Sequence, residues 1–295
     1  MRLDDFDPTS HARDLGSGGG GGGGFGLLGF LPLLLGRGLG CGGIAILGIL
    51  ALGYLFLSGG GGILGGSGGG TIGAGGGATG AAACNTPERQ FACRVMTSTE
   101  QTWDALFREA GLNYRPATIN FYEGGATSAC GYASSAVGPY YCPPDQGVYL
   151  DTSFFRELAQ RFGARGDFAQ AYVIAHEIGH HVQNLLGTSD EVRRRQQQLG
   201  QTAGNELSVR LELQADCFAG VWAAQNRDRL EAGDIEEGMT AAAAIGDDRL
   251  QEQSQGHVAP ESFTHGTSEQ RMRWLRRGLE TGDPGACDTF STGAL

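Results

Sequence analysis

His176, Glu177 and His180 form an H-E-x-x-H pattern within AYVIAHEIGHHVQNLLG. Histidines four apart on a helix share one face, so both imidazoles can meet one tetrahedral ion while Glu177 reaches the remaining coordination position. Helical phase supports this. Ile174, Ile178, Val182 and Leu185 make an apolar stripe, and at about 100° per residue His176 and His180 fall on the far side of it, where a cleft would lie. His181 lies near the stripe and reads as a packing or hydrogen-bonding residue, not a ligand.

Glu212 and Asp216 lie four apart inside the otherwise apolar run LSVRLELQADCFAGVWAA. Burying two carboxylates there without a cation is expensive. Glu212 is therefore assigned to the metal, and Asp216 to the second N–H of a ligand histidine. Two histidines, one carboxylate and an open position describe a catalytic zinc site rather than a structural one. Such a site lowers the pKa of bound water, Glu177 takes the proton as general base, and a polarised carbonyl is attacked, which is peptide hydrolysis. Oxygen-activating iron uses a similar triad but needs no carboxylate between the histidines, so Zn2+ is the expected cofactor.

The elements that must position these residues follow from patterning. A helix is predicted from Ser98 to Ala110, a strand from Ala117 to Tyr122 and a second short strand from Gly147 to Leu150. Helices are predicted at Ser153–Phe162, Phe168–Leu186, Ser189–Leu199, Gly204–Arg227, Ile235–Gln255 and Ser268–Leu279. The plan is α+β, a small sheet with a mainly helical remainder.

The N-terminal third differs in kind. Of 53 glycines, 31 fall in the first 80 residues, and only 7 of the 53 charged residues precede Pro87. Phe25–Leu35 is too short to span a bilayer and contains Pro32, whereas Leu39–Leu57 is uncharged and close to the roughly 20 residues that a crossing helix needs. The expected division is a Gly-rich cytoplasmic N-terminus at 1–38, a transmembrane helix at 39–58, a Gly-rich flexible linker at 59–83 and the metal-binding domain at 84–295. Arg37 before the span gives a positive-inside signal, which places the C-terminal domain outside the cell membrane of a single-pass protein.

Cysteine usage agrees with that side. Cys41 falls in the span, and the other six form an even set suited to an oxidising compartment. Six cysteines admit fifteen pairings. The expected pairs are Cys84 with Cys93, Cys130 with Cys142 and Cys217 with Cys287, with unpaired buried thiols as the alternative. A formal charge of −11 repels phosphate backbones, so no nucleic-acid partner is expected. All 21 basic residues are Arg, which excludes lysine Schiff-base chemistry.

Four blocks carry a family resemblance: ACGYASSAVGPYYCPPDQGVYLDTSFF, AYVIAHEIGHHVQNLLG, RLELQADCFAGVWA and SFTHGTSEQRMRWLRRGLETGDPGACDTF. With them the chain resembles the neutral zinc metallopeptidases of bacterial membrane-anchored proteins, a gluzincin-like branch of the zincins. The resemblance implies a zincin-like domain with His176, His180 and Glu212 as zinc ligands, Glu177 as general base and Asp216 behind a ligand histidine. It further implies that the strand Gly147–Leu150 is the edge that pairs with an extended peptide substrate. His265, in THGTSEQR, would stabilise the oxyanion, as a histidine or tyrosine commonly does in gluzincins. Its alternative role is to cap or tether the next helix, for which Thr267 or Ser268 with Glu269 and Gln270 already offers a capping motif. Arg271, Arg273, Arg276 and Arg277 read as a basic cluster on the last helix, either a solvated face or partners for the acidic surplus.

The reading that results is a membrane-tethered zinc endopeptidase acting on peptide or protein substrates. Its rival is a tethered zinc-containing binding or scaffolding protein without turnover, and a third possibility is a secreted protease released by cleavage of the linker.

Overall fold

The computed structural model describes residues 1–17, 77–291 and 293. The predicted transmembrane helix at 39–58, and the linker up to residue 76, lie outside the described residues. Among the described residues no helix is long and apolar enough to cross a membrane.

Helix α1 (Pro87–Glu109) starts well before the predicted Ser98, because Thr86 accepts from the Arg89 N–H and Pro87 fills the first turn. Then come β2 (Thr118–Glu123), the hairpin β3 (Gly125–Ser128) and β4 (Gly131–Ser134), β5 (Tyr140–Cys142) and β6 (Gly147–Leu150). The first strand, β1 (Ala12–Ser17), comes from the N-terminus. The remainder is helical: α2 (Ser153–Gln160), α3 (Asp167–Leu185), α4 (Thr188–Gln196), α5 (Gln201–Gln225), α6 (Asp234–Ala244), α7 (Asp247–Gln255) and α8 (Ser268–Thr281). This is the expected α+β plan.

Two expectations about the sheet change. Strand order is β1-β2-β6-β5, with β1, β2 and β6 parallel and β5 antiparallel to β6. The strand Gly147–Leu150 forms as predicted, but as β6 it has a neighbour on each side and is not an edge. At that end of the sheet the edge is Tyr140–Cys142, beside α3. The sequence hid β5 because three residues ahead of Pro143-Pro144 are too few for an alternation signal.

The second change concerns the domain boundary. The expected division sets the N-terminal segment apart from a domain starting at residue 84, yet residues 1–17 and 77–83 pack against that domain. Leu3, Thr9 and Ala12 are buried, and Ala12, Arg13 and Asp14 stand in register with Ile119, Asn120 and Phe121. The Met1 ammonium contacts Asp167, Glu231 and Asp234 at 2.9–3.3 Å, so the acidic group of Asp167, Asp234 and Glu237 already has a cation.

The predicted helix Ile235–Gln255 is two helices, α6 and α7, broken at Gly246. A Cβ there would lie 2.4 Å from the Ser268 nitrogen, so the chain must turn without a side chain. All three expected disulfides form, Cys84–Cys93, Cys130–Cys142 and Cys217–Cys287.

The core that carries the site is the crossing of α5 with α3 on one side and α8 on the other. A Cβ on Gly179 would meet the Ala215 backbone at 2.9 Å, and one on Gly278 would meet the Cys217 carbonyl oxygen at 1.9 Å. Both helix pairs therefore pack backbone against backbone. Leu213, Phe218 and Trp222 of α5 fill the surrounding core with Phe168 and Leu275.

Candidate metal centre

Helix α3 carries His176, Glu177 and His180, and α5 brings Glu212 opposite them. The Glu212 carboxylate lies 3.2 Å from His176 Nε2 through Oε2 and 3.4 Å from His180 Nε2 through Oε1. One donor atom from each of the three residues falls within 4.8 Å of the others. Zinc bonds to nitrogen and oxygen of about 2.0–2.2 Å in a tetrahedron require donors about 3.3–3.6 Å apart, so these spacings fit that ion.

The imidazole orientations make the fit chemical as well as metric. Asp216 Oδ1 lies 2.8 Å from His176 Nδ1, and an ionised carboxylate only accepts. Nδ1 therefore carries a hydrogen, and Nε2 is the ring atom turned toward Glu212, the one a cation would engage on losing its proton. Gln183 does the same for the second ligand. Its Nε2 donates to the Leu211 carbonyl at 2.7 Å and to Gln214 Oε1 at 3.1 Å, which leaves its Oε1 to accept from His180 Nδ1 at 2.9 Å. Both histidines thus present Nε2 to the space they share with Glu212, as residues that could hold a metal there.

Asp216 is wholly buried at 0 % exposure and fully partnered. Besides His176 it accepts from the Tyr172 hydroxyl at 2.5 Å and, from Arg271, Nε and Nη2, both at 2.9 Å. Burial would raise its pKa, but Arg271 and His176 outweigh burial and hold it below the usual carboxylate range. Arg271 is 2 % exposed and pairs with Asp216, so for that arginine the solvated face is corrected and the acidic partner holds. Helical spacing does carry the signal: Arg271, Trp274, Leu275, Gly278 and Leu279 follow the i, i+3, i+4, i+7, i+8 pattern of a buried face.

Electrostatics across the centre favour a cation. Burial works to lower the His176 pKa, yet Asp216 and Glu212 together push it up to about 10. Burial works upward on Glu212, but His180 and His265 hold it well below the ordinary value. Glu177, 7 % exposed, is pushed up by burial, with the neighbouring histidines opposing.

His181 stays out of the centre, as its helical phase predicts. It is buried, its Nε2 donates to the Arg115 carbonyl at 2.6 Å, and its Nδ1 lies 2.9 Å from the Tyr141 hydroxyl. Asn184 donates to the same hydroxyl at 3.0 Å, so two residues of α3 pin the edge strand β5 beside the ligands.

His265 stands on the loop before α8. Asp247, at the start of α7, fixes that loop by accepting from the backbone N–H groups of Thr264, His265 and Gly266 at 2.6–3.1 Å and facing His265 Nδ1 at 3.2 Å. Burial works to lower the His265 pKa, but the charges of Glu212 and Asp247 hold it above the ordinary value. Capping falls to other residues: Thr267 and Gln270 form a reciprocal capping box on α8.

The residues that sequence reasoning missed are the supports: Tyr172, Gln183, Asp247 and Arg271. Each is a polar residue whose partner lies on a different element, apart from the Gln183–His180 contact.

An α+β body with two helices that offer three convergent donors around a glutamate defines the class. The chain belongs to the family described as "Putative neutral zinc metallopeptidase", whose model matches residues 6–290. Among its relatives, "Uncharacterized protein YpfJ" of Escherichia coli (strain K12) is 53% identical over 203 residues, 68% of this chain and 71% of that protein. "Uncharacterized protein Rv2575" of Mycobacterium tuberculosis (strain ATCC 25618 / H37Rv) is 45% identical over 216 residues, 69% of this chain and 72% of that protein. No solved structure matches.

Proposed function

We propose that the protein is a zinc-dependent endopeptidase, held at the cell membrane with its catalytic domain outside the cytoplasm. The observation that carries the reading is the convergence of His176, His180 and Glu212 at tetrahedral spacing with Glu177 on the intervening turn. A purely structural zinc site has no use for a carboxylate there.

Zinc, when bound by His176, His180 and Glu212, supplies Lewis-acid polarisation of a carbonyl and lowers the pKa of water. Glu177 accepts the proton of the attacking water and returns it to the departing amine, so the two proton transfers balance on one carboxyl group. An extended peptide adds to the edge strand β5, where backbone hydrogen bonds orient it regardless of its side chains. Tyr141, held by His181 and Asn184, fixes the distance between that strand and the ligand helix.

His265 supplies the oxyanion donor, with Asp247 holding the ring through Nδ1 so that the other nitrogen faces the reacting carbonyl. His265→Ala is expected to lower kcat about 100- to 1000-fold while KM and zinc content change little. Equal kcat in the two proteins removes His265 from this role.

The metal assignment is tested on the purified protein. Chelation should end hydrolysis of an unstructured reporter peptide and added zinc should restore it. Glu212→Ala should lower zinc content sharply by elemental analysis, and unchanged metal content disqualifies Glu212 as a ligand.

A further inference from the structure

The N-terminal strand and the metal-binding domain form one sheet, and this constrains how the chain can meet a membrane. β1 runs parallel to β2, with the Ile119 N–H donating to the His11 carbonyl at 3.0 Å. The chain that rejoins the domain runs beside the same strand: the Asp14 N–H donates to the Ala78 carbonyl at 2.8 Å, and Arg13 bridges to Thr79. Arg89 of α1 then clamps Asp14 at 2.6 Å, and the Thr9 N–H donates to the carbonyl of Cys93, a disulfide residue. The stretch 77–79, where the chain rejoins, thus lies against β1 itself.

A helix crossing hydrocarbon once separates its two flanks by about 30 Å of bilayer core. The hydrogen bonds between Asp14 and Ala78 and between His11 and Ile119 do not survive such a separation. We propose that residues 1–17 lie on the same side of the membrane as residues 77–295, outside the cytoplasm, and that the domain meets the lipid bilayer at the end of the sheet where β1 finishes and residue 77 begins.

The three disulfides select the oxidising side for the domain, and residues 1–17 go with it because they are part of its core. The family match starting at residue 6 treats the N-terminal strand as part of the same unit. Single-pass insertion with a cytoplasmic N-terminus does not meet these conditions. The proposal is independent of peptidase activity.

The test uses the full chain with Cys41→Ser and one added cysteine, either Ser10→Cys or Gln198→Cys, both at exposed positions. A small membrane-impermeant maleimide applied to intact cells should label both variants to the same extent. Labelling of Ser10→Cys only after lysis, with Gln198→Cys labelled in intact cells, overturns the proposal and restores a single crossing. Labelling of both only after lysis overturns the external placement. A second variant reads the pairing directly. Ser17→Cys with Glu123→Cys joins two exposed register partners, and a protease site is inserted in the Gly-rich linker. After cleavage the N-terminal fragment should stay attached to the domain until reductant is added, and its release without reductant overturns the packing.

Discussion

Glu177→Gln is expected to lower peptide hydrolysis about 100- to 10000-fold while the protein keeps its zinc and its melting temperature. The amide matches the carboxylate in shape, so the α3–α5 crossing and the three donors are undisturbed, but it accepts no proton from water. Metal analysis and single-turnover hydrolysis, run on the same preparation, separate the two properties. Activity near that of the unchanged protein would take Glu177 out of the reaction and leave the tethered scaffold as the better account. Loss of zinc together with activity would mean that Glu177 shapes the site rather than moving a proton.

The second large effect is on stability. Arg271→Met should destabilise the domain by about 3–5 kcal/mol, because removing one partner of a buried pair leaves the other charge uncompensated. Asp216 has no route to solvent and depends on two N–H groups of that guanidinium. Urea unfolding provides the measurement. Zinc affinity should fall about 10- to 100-fold as well, since the Asp216 carboxylate orients His176. Arg271→Lys keeps the charge but not the two-pronged geometry, so it should fall between the two. A loss under about 1 kcal/mol for Arg271→Met would place the pair among interactions that only break even.

The convergent trio of His176, His180 and Glu212 was legible in the sequence, the residues that support it much less so. H-E-x-x-H and E-x-x-x-D are local spacings on single helices, and helical periodicity alone sets which face each residue occupies. Glu212 and Asp216 also stood out because carboxylates in an apolar run need a reason to be there. Asp247 gave no such signal, since an acid at a helix start has an ordinary explanation in the helix dipole. Its use, gathering three backbone N–H groups of a loop, depends on a contact 17 to 19 residues away. Arg271 sits at buried-face spacing, but a charge on a helix fits a solvated face as well as an acidic partner, so its burial against Asp216 is settled only by the fold. The sheet was half legible for a similar reason. β2 and β6 carry β-branched and aromatic residues, whereas β1 reads ARDLGS, a polar strand buried on alternate residues that is recognisable only beside its partner.

Chain order also bears on how the protein matures. His176, His180, Glu212 and Asp216 are all synthesised well before Arg271 and Cys287. Arg271 follows Asp216 by 55 residues, and Cys287 follows Cys217 by 70. A nascent chain therefore displays its whole donor set while Asp216 still lacks its counter-charge and α5 is not yet fastened by sulfur. The Arg271 counter-charge and the Cys217–Cys287 bond arrive only with the last stretch of translation and its oxidation, so an unfinished copy, or one held where thiols stay reduced, lacks these supports.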